Sequence, residues 1–179
     1  MNTTPRQICS IDRAGFRWWR RTQMLLTIGG GFLGLVMIVQ SASTADRITL
    51  PSFAVVALLG LLYGYGVFVG WRYSEHPENW GSLLLYHLVQ IPMVTSPVFS
   101  FIFTSGFAIS VQFAGGRLGF GCNVGSTSVL SFGEMQAWSA GMNIFAAVMA
   151  LALIYTHSAR RTCEREEIAP LDTAREDPY

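Results

Sequence analysis

The sequence predicts an all-α fold, a polytopic bundle of four transmembrane helices. Three observations carry that expectation. Apolar residues make up 51% of the chain and charged ones only 13%, a balance hard to hide inside one soluble core. Four apolar stretches, residues 24–42, 52–72, 83–112 and 137–157, each reach the roughly 20 residues that a helix needs to cross a bilayer core of about 30 Å. Finally, the twelve basic residues are all arginine and fall unevenly between the segments that join these stretches.

Residues 1–23 read as a cytoplasmic amphipathic segment. Ile11, Phe16, Trp18 and Trp19 are interleaved there with Arg13, Arg17, Arg20 and Arg21, which suits a short helix lying on anionic lipid. The first apolar stretch follows, with the small-xxx-small pair Gly30 and Gly34. An alternative reading makes it a signal peptide cleaved after Ser43, Thr44 and Ala45.

The second stretch carries two such pairs, Gly60 with Gly64 and Gly66 with Gly70. At 100° per residue they face directions about 120° apart, so this helix is expected to be central and to touch two neighbours. The third stretch is long and interrupted by Pro92 and Pro97, which predicts a kinked or broken helix. It also carries His87, Gln90, Thr95 and Ser96.

Between the third and fourth stretches lies a glycine-rich external loop, residues 113–136. The alternating runs Ser110 to Phe113 and Thr127 to Phe132 can pair there as short strands capping the bundle. Glu134 and Trp138 lie at its outer mouth. In the fourth stretch Ser139, Asn143, Ala146 and Ala150 recur at helical spacing and form a polar face that should turn inward. Residues 158–179 are charge-rich and read as a disordered cytoplasmic tail.

Orientation follows from arginine placement. Arg6, Arg13, Arg17, Arg20, Arg21, Arg72, Arg160, Arg161, Arg165 and Arg175 fall on one side, and Arg47 and Arg117 on the other. The positive-inside rule then puts both termini in the cytoplasm, and the all-arginine usage suggests a GC-rich bacterial genome and hence a bacterial inner membrane. Cys9, Cys122 and Cys163 are an odd set split across the membrane, which argues against an intramolecular disulfide.

Chemistry is sparse. No acidic residue lies within an apolar stretch, and no nucleophile elbow, paired carboxylates or phosphate loop is present. A net charge of +1 gives no footprint for nucleic acid. The preferred expectation is a non-enzymatic accessory or interaction subunit that engages lipid, another membrane protein or copies of itself. One alternative is a small-solute transporter or channel component, in which His87, Gln90, Thr95, Ser96 and Asn143 line a polar pathway. A second is a b-type haem bundle ligated by His87 and His157, the same two residues being weak candidates for a metal.

Overall fold

A computed structural model describes the backbone of residues 5–44, 49–133 and 137–173, with the side chains of 15, 17–44, 49–133 and 137–159. The expectations placed on Ala45, Arg47, Glu134 and Arg175, and on the side chains of Arg6, Cys9, Ile11, Arg13, Phe16, Arg160, Arg161, Cys163 and Arg165, lie outside the described residues.

Two long helices open the fold. Helix α1, Pro5–Ser43, is one continuous element of 39 residues, so the amphipathic segment and the first apolar stretch share a single helix. Helix α2, Leu50–Glu75, is capped by Thr49, whose Oγ1 accepts from Ser52 N, and carries proline in its first turn, where the missing N–H costs nothing. It stops at His76, immediately before Pro77.

Glycine sets the register of the pair. A Cβ at Gly70 would lie 2.8 Å from Ile28 Cγ1, one at Gly31 would lie 2.8 Å from Tyr63 O, and one at Gly34 would overlap the Tyr63 ring. Partners rise on one helix as they fall on the other, so α1 and α2 form an antiparallel hairpin at backbone contact. Gly66 likewise faces the Tyr86 hydroxyl, whereas Gly60 and Gly64 have nothing within 4 Å. One of the two glycine ridges on α2 is therefore used and the other is open.

The third apolar stretch is where the expected four-helix bundle fails. Only helix α3, Trp80–Val89, is helical. The chain then enters strands β1, Pro92–Thr95, β2, Phe99–Thr104, and β3, Phe107–Ala114. Pro92 cannot continue the helix, and the following residues, Phe-Ser-Phe-Ile-Phe-Thr in β2, are aromatic, β-branched and alternating, which suits a pleated sheet.

The glycine-rich segment supplies β4, Arg117–Val124, and β5, Thr127–Phe132. The fourth stretch opens as β6, Ser139–Asn143, before helix α4, Ile144–Thr173. The fold class is thus corrected from all-α to four helices plus a six-stranded antiparallel sheet in the order β4-β3-β6-β1-β2-β5. Within it, Thr127–Phe132 pairs with β2 rather than with the run around Ser110 to Phe113, which lies between β4 and β6.

The description as a four-helix integral membrane bundle falls with it. Arg17–Ser43 and Leu50–Glu75, 27 and 26 residues, are long and apolar enough to cross a membrane. Helix α3 has 10 residues and the apolar part of α4 is Ile144–Ala159, both short of the required ~20. The acidic and basic residues beyond 158 continue the α4 backbone to Thr173.

The sheet is two-faced. Directly paired residues share a face, so Leu118, Phe120 and Val124 of β4 lie with Phe107, Val111 and Phe113 of β3, Met142 of β6, Val94 of β1, Phe101 and Phe103 of β2, and Leu130 and Phe132 of β5. The opposite face is mixed, with Gln112, Gly119, Gly121, Ser139, Gly141, Thr95, Ser100 and Thr104 beside Met93, Ile102 and Val129. Phe103 joins sheet to helices: it is fully buried, 4.9 Å from the Tyr63 ring and 6.0 Å from the Tyr86 ring, in a core with Leu59, Val69, Tyr73, Leu83 and Leu153.

Occupied and open glycines should respond oppositely. Gly66→Val forces a side chain into Tyr86 and is expected to cost about 1–3 kcal/mol of stability. Gly60→Ala meets open space and gains up to about 1 kcal/mol from helix propensity. Thermal unfolding of the two purified variants checks both signs.

Candidate functional site: a buried polar spine

Polar side chains converge where the helices meet the base of the sheet. Gln23, Thr27, Gln90, Ser105, Ser126 and Asn143 are buried, and so is His87. A polar group in such a place costs free energy unless it is hydrogen-bonded, so each partner has a structural consequence.

Gln23 on α1 ties two helices together. Its Oε1 accepts from His87 Nε2 of α3 at 2.9 Å, and its Nε2 donates to Met149 O of α4 at 3.4 Å. One turn along α3, Gln90 Oε1 accepts from Ser105 N at 3.0 Å, while its Nε2 donates to Tyr86 O at 3.3 Å. That side chain replaces a helical partner on one side and holds the turn between β2 and β3 on the other.

The same turn meets α1. Gly106, at φ +85°, sits with a prospective Cβ 3.0 Å from Leu26 O, and from the neighbouring β4–β5 turn Ser126 Oγ donates to Gly30 O at 2.6 Å. A Cβ at Gly30 would in turn lie 2.5 Å from Gly106 N. Two glycines therefore meet at one crossing, and the left-handed backbone of Gly106 adds a second reason for that residue type. Nearby, Tyr63 OH donates to Thr104 O at 3.2 Å.

Asn143 occupies the junction of β6 and α4. Its N donates to Ile91 O at 2.8 Å, and its Oδ1 accepts from Ala146 N at 3.3 Å, the bond an N-cap side chain makes. Among the described residues, Thr27 Oγ1, Ser105 Oγ and Asn143 Nδ2 are buried without a hydrogen-bond partner, which leaves the spine unsatisfied at three points.

The five residues expected to line a pathway are thus divided. His87, Gln90 and Asn143 gather in the spine, bonded to Gln23, Ser105 and Ala146 respectively. Thr95 and Ser96 lie at the other end of β1. Thr95 pairs with Ser100 and Ser139, and Ser96 closes the β1–β2 turn by donating to Phe99 O at 2.8 Å and accepting from Phe99 N at 3.0 Å. The open groove of about 530 Å³ on α2 is bordered by Leu58, Gly60, Leu61, Gly64, Tyr65 and Phe68. It is apolar and includes none of the five.

The two histidines proposed as haem or metal ligands are engaged separately. His87 bonds to Gln23, while His157 stacks on Trp80 with ring centroids 4.4 Å apart. Among the described residues no group of three or more His, Cys, Asp or Glu side chains is placed to hold a metal ion. In the spine, amides, hydroxyls and one imidazole can satisfy backbone groups or hold a neutral polar molecule.

Gln23, Thr27 and Ser126 were not foreseen from sequence. The signal existed for two of them: Gln23, Thr27, Gly30 and Gly34 recur at spacings of four, three and four, one stripe of a helix. Gln23 lies just ahead of the first apolar stretch, which hid the continuity. Ser126 had no comparable signal, because its role depends on a turn meeting a distant helix.

The fold and the spine define a mixed α+β protein in which an antiparallel helical hairpin carries a sheet. No family model, no curated protein and no solved structure matches the chain.

Gln90→Leu strands Ser105 N without its acceptor and is expected to cost about 1–3 kcal/mol. Asn143→Ala removes a cap and should cost about 0.5–2 kcal/mol. Gln23→Leu with His87→Leu should be less damaging than the sum of the single changes, since each single change leaves a buried polar partner unpaired. A double-mutant cycle read by chemical unfolding checks the coupling.

Proposed function

We propose that this protein is held in a bacterial inner membrane by its α1–α2 hairpin and acts there as a non-catalytic interaction subunit. Exposed apolar surface supports this reading more than any other observation. Phe32 is 61% exposed and Leu61 72% exposed, near the middle of the apolar spans Arg17–Ser43 and Leu50–Glu75, and large apolar residues in such numbers need lipid or a partner to cover them.

The hairpin register supports an orientation. Because residue 28 lies against residue 70 and residue 34 against residue 63, Arg17, Arg20 and Arg21 fall at the same end as Arg72. Arginines concentrate on cytoplasmic sides, so that end, with the start of the chain, faces the cytoplasm. Cleavage after Ala45 would remove Gln23, Gly30 and Gly34 and with them the α1 half of the spine, which supports retention of α1.

The interaction role rests on the sheet. Its apolar face presents Phe113, Leu118, Phe120 and Phe132 outward, while the buried imidazole of His87 is bonded to the Gln23 side chain. A surface that offers shape and apolar area, rather than nucleophiles, recognises a neighbour.

Arginine substitution separates lipid from water. At the centre of a membrane helix it costs about 2.5–3.5 kcal/mol, whereas on a water-exposed helix it changes stability by no more than about 0.5 kcal/mol. Phe32→Arg and Leu61→Arg are each expected to deplete the protein from carbonate-washed membranes. Unchanged yield and a soluble parent chain would overturn the reading.

A further inference from the structure

We propose that two copies of this chain pair through the free edge of strand β4, antiparallel and about a two-fold axis at Gly121. The inference rests on the interaction role above and names its partner.

Strand β4 ends the sheet, and among the described residues nothing hydrogen-bonds to its outer side. The β3–β4 turn contains only Gly115 and Gly116, at φ +55° and +77°, so it is a two-residue hairpin loop of the primed kind. The flanking pair Ala114 and Arg117 exchanges both bonds in such a hairpin, and the antiparallel alternation proceeds from there. Arg117, Gly119, Gly121 and Asn123 bond to β3, which leaves the N–H and C=O groups of Leu118, Phe120, Cys122 and Val124 pointing away from the sheet.

The edge is accessible along its length. All eight residues of β4 are exposed, with Phe120 at 77% and Val124 at 81%. By contrast, five of the six residues of β5, at the other edge, are half-buried. Proteins that keep an edge unpaired usually guard it with lysine, proline, a bulge or a covering element. In β4 there is neither lysine nor proline, its register with β3 runs unbroken from Arg117 to Val124, and its one charge, Arg117, stands at the hairpin end.

A second copy fits this edge in particular. With the axis at Gly121, Leu118 meets Val124 of the second copy, Phe120 meets Cys122, and Gly119 meets Asn123. Residues of like parity then share a face, so the apolar face of one sheet continues into the other. Every pair that exchanges bonds across the seam joins residues whose groups are free. The two Arg117 side chains fall at opposite ends, roughly 27 Å apart at about 3.4 Å per residue, well beyond the ~8 Å screening length of physiological salt. An isologous contact of this kind closes at two copies.

Cysteine crosslinking in native membranes tests the register. In the full chain with Cys9, Cys122 and Cys163 changed to Ser, Gly121→Cys places two thiols across a non-hydrogen-bonded pair, with Cα atoms about 4.5 Å apart, within disulfide reach. Copper phenanthroline should then convert the chain to a band of doubled mass. Adding Phe120→Pro should abolish that band, because proline removes a donor on the free edge while leaving the bonds to β3 intact.

A new Cβ at position 121 meets Ser110 Oγ at 2.8 Å. Should that variant not accumulate, Phe120→Cys in a chain that keeps Cys122 should crosslink where Cys122 alone does not. A chain that stays monomeric in carbonate-resistant membranes with both cysteine arrangements overturns the pairing and leaves the membrane reading intact. An adduct of any other mass overturns the second copy as the occupant. A soluble chain that still forms the doubled band upholds the pairing and overturns the membrane reading.

Discussion

The helix that stops at Val89 is the constraint from which the rest of this structure follows. Pro92 offers no N–H to extend α3, and the side chain of Gln90 turns the broken end into a joint by accepting from Ser105 N. Ile91 O then receives Asn143 N, so the same short segment receives the returning chain just before α4. Three elements are fixed at one point: the end of α3, the β2–β3 turn and the start of α4. Had the helix continued, Phe99 to Thr104 would have faced outward around a cylinder, and Phe103 could not have reached Tyr63 and Tyr86.

Close packing of the hairpin depends on glycine, and the joint depends on amides and hydroxyls. These are complementary solutions to one problem. Gly30, Gly31, Gly34 and Gly70 let backbones approach so that dispersion contacts and backbone donors come within reach. Gln90 then supplies an acceptor for Ser105 N, while Gln23 and Ser126 add side-chain bonds to Met149 O and Gly30 O. The interior that results is polar at the junction and apolar around Phe103, while large apolar side chains of α1 and α2 stay exposed.

The sequence made the first half of this fold legible and obscured the second. Stretches 24–42 and 52–72 fall within α1 and α2, because length and uniform apolarity suffice to identify a long helix. They mislead for residues 83–112, where an apolar run of the same length contains one short helix and three strands. The alternation in Phe99 to Thr104 and the prolines at 92 and 97 were the contrary signals, but continuous hydropathy averages over them. Residues 137–143 fail for a related reason, since a short apolar strand and the first turn of a helix look alike in composition.

Candidate residues were legible by type more than by role. His87, Gln90 and Asn143 stood out as polar groups in apolar surroundings, and the structure does place them together. Their work, however, is to accept from a strand, bond a neighbouring helix and cap α4, which depends on tertiary partners such as Gln23 and Ser105. Of the paired glycines, Gly30, Gly34, Gly66 and Gly70 pack tightly, whereas Gly60 and Gly64 do not, a distinction that spacing alone could not make.

The most direct test of this account is the backbone conformation of residues 92–114 in the intact protein, read from Cα and Cβ chemical shifts in detergent or lipid. Shifts of extended sign through Met93 to Thr95, Phe99 to Thr104 and Phe107 to Phe113, beginning after helical shifts that end at Val89, are the predicted result. Helical shifts continuing from Trp80 through Gln112 would contradict the joint at Gln90 and everything built upon it.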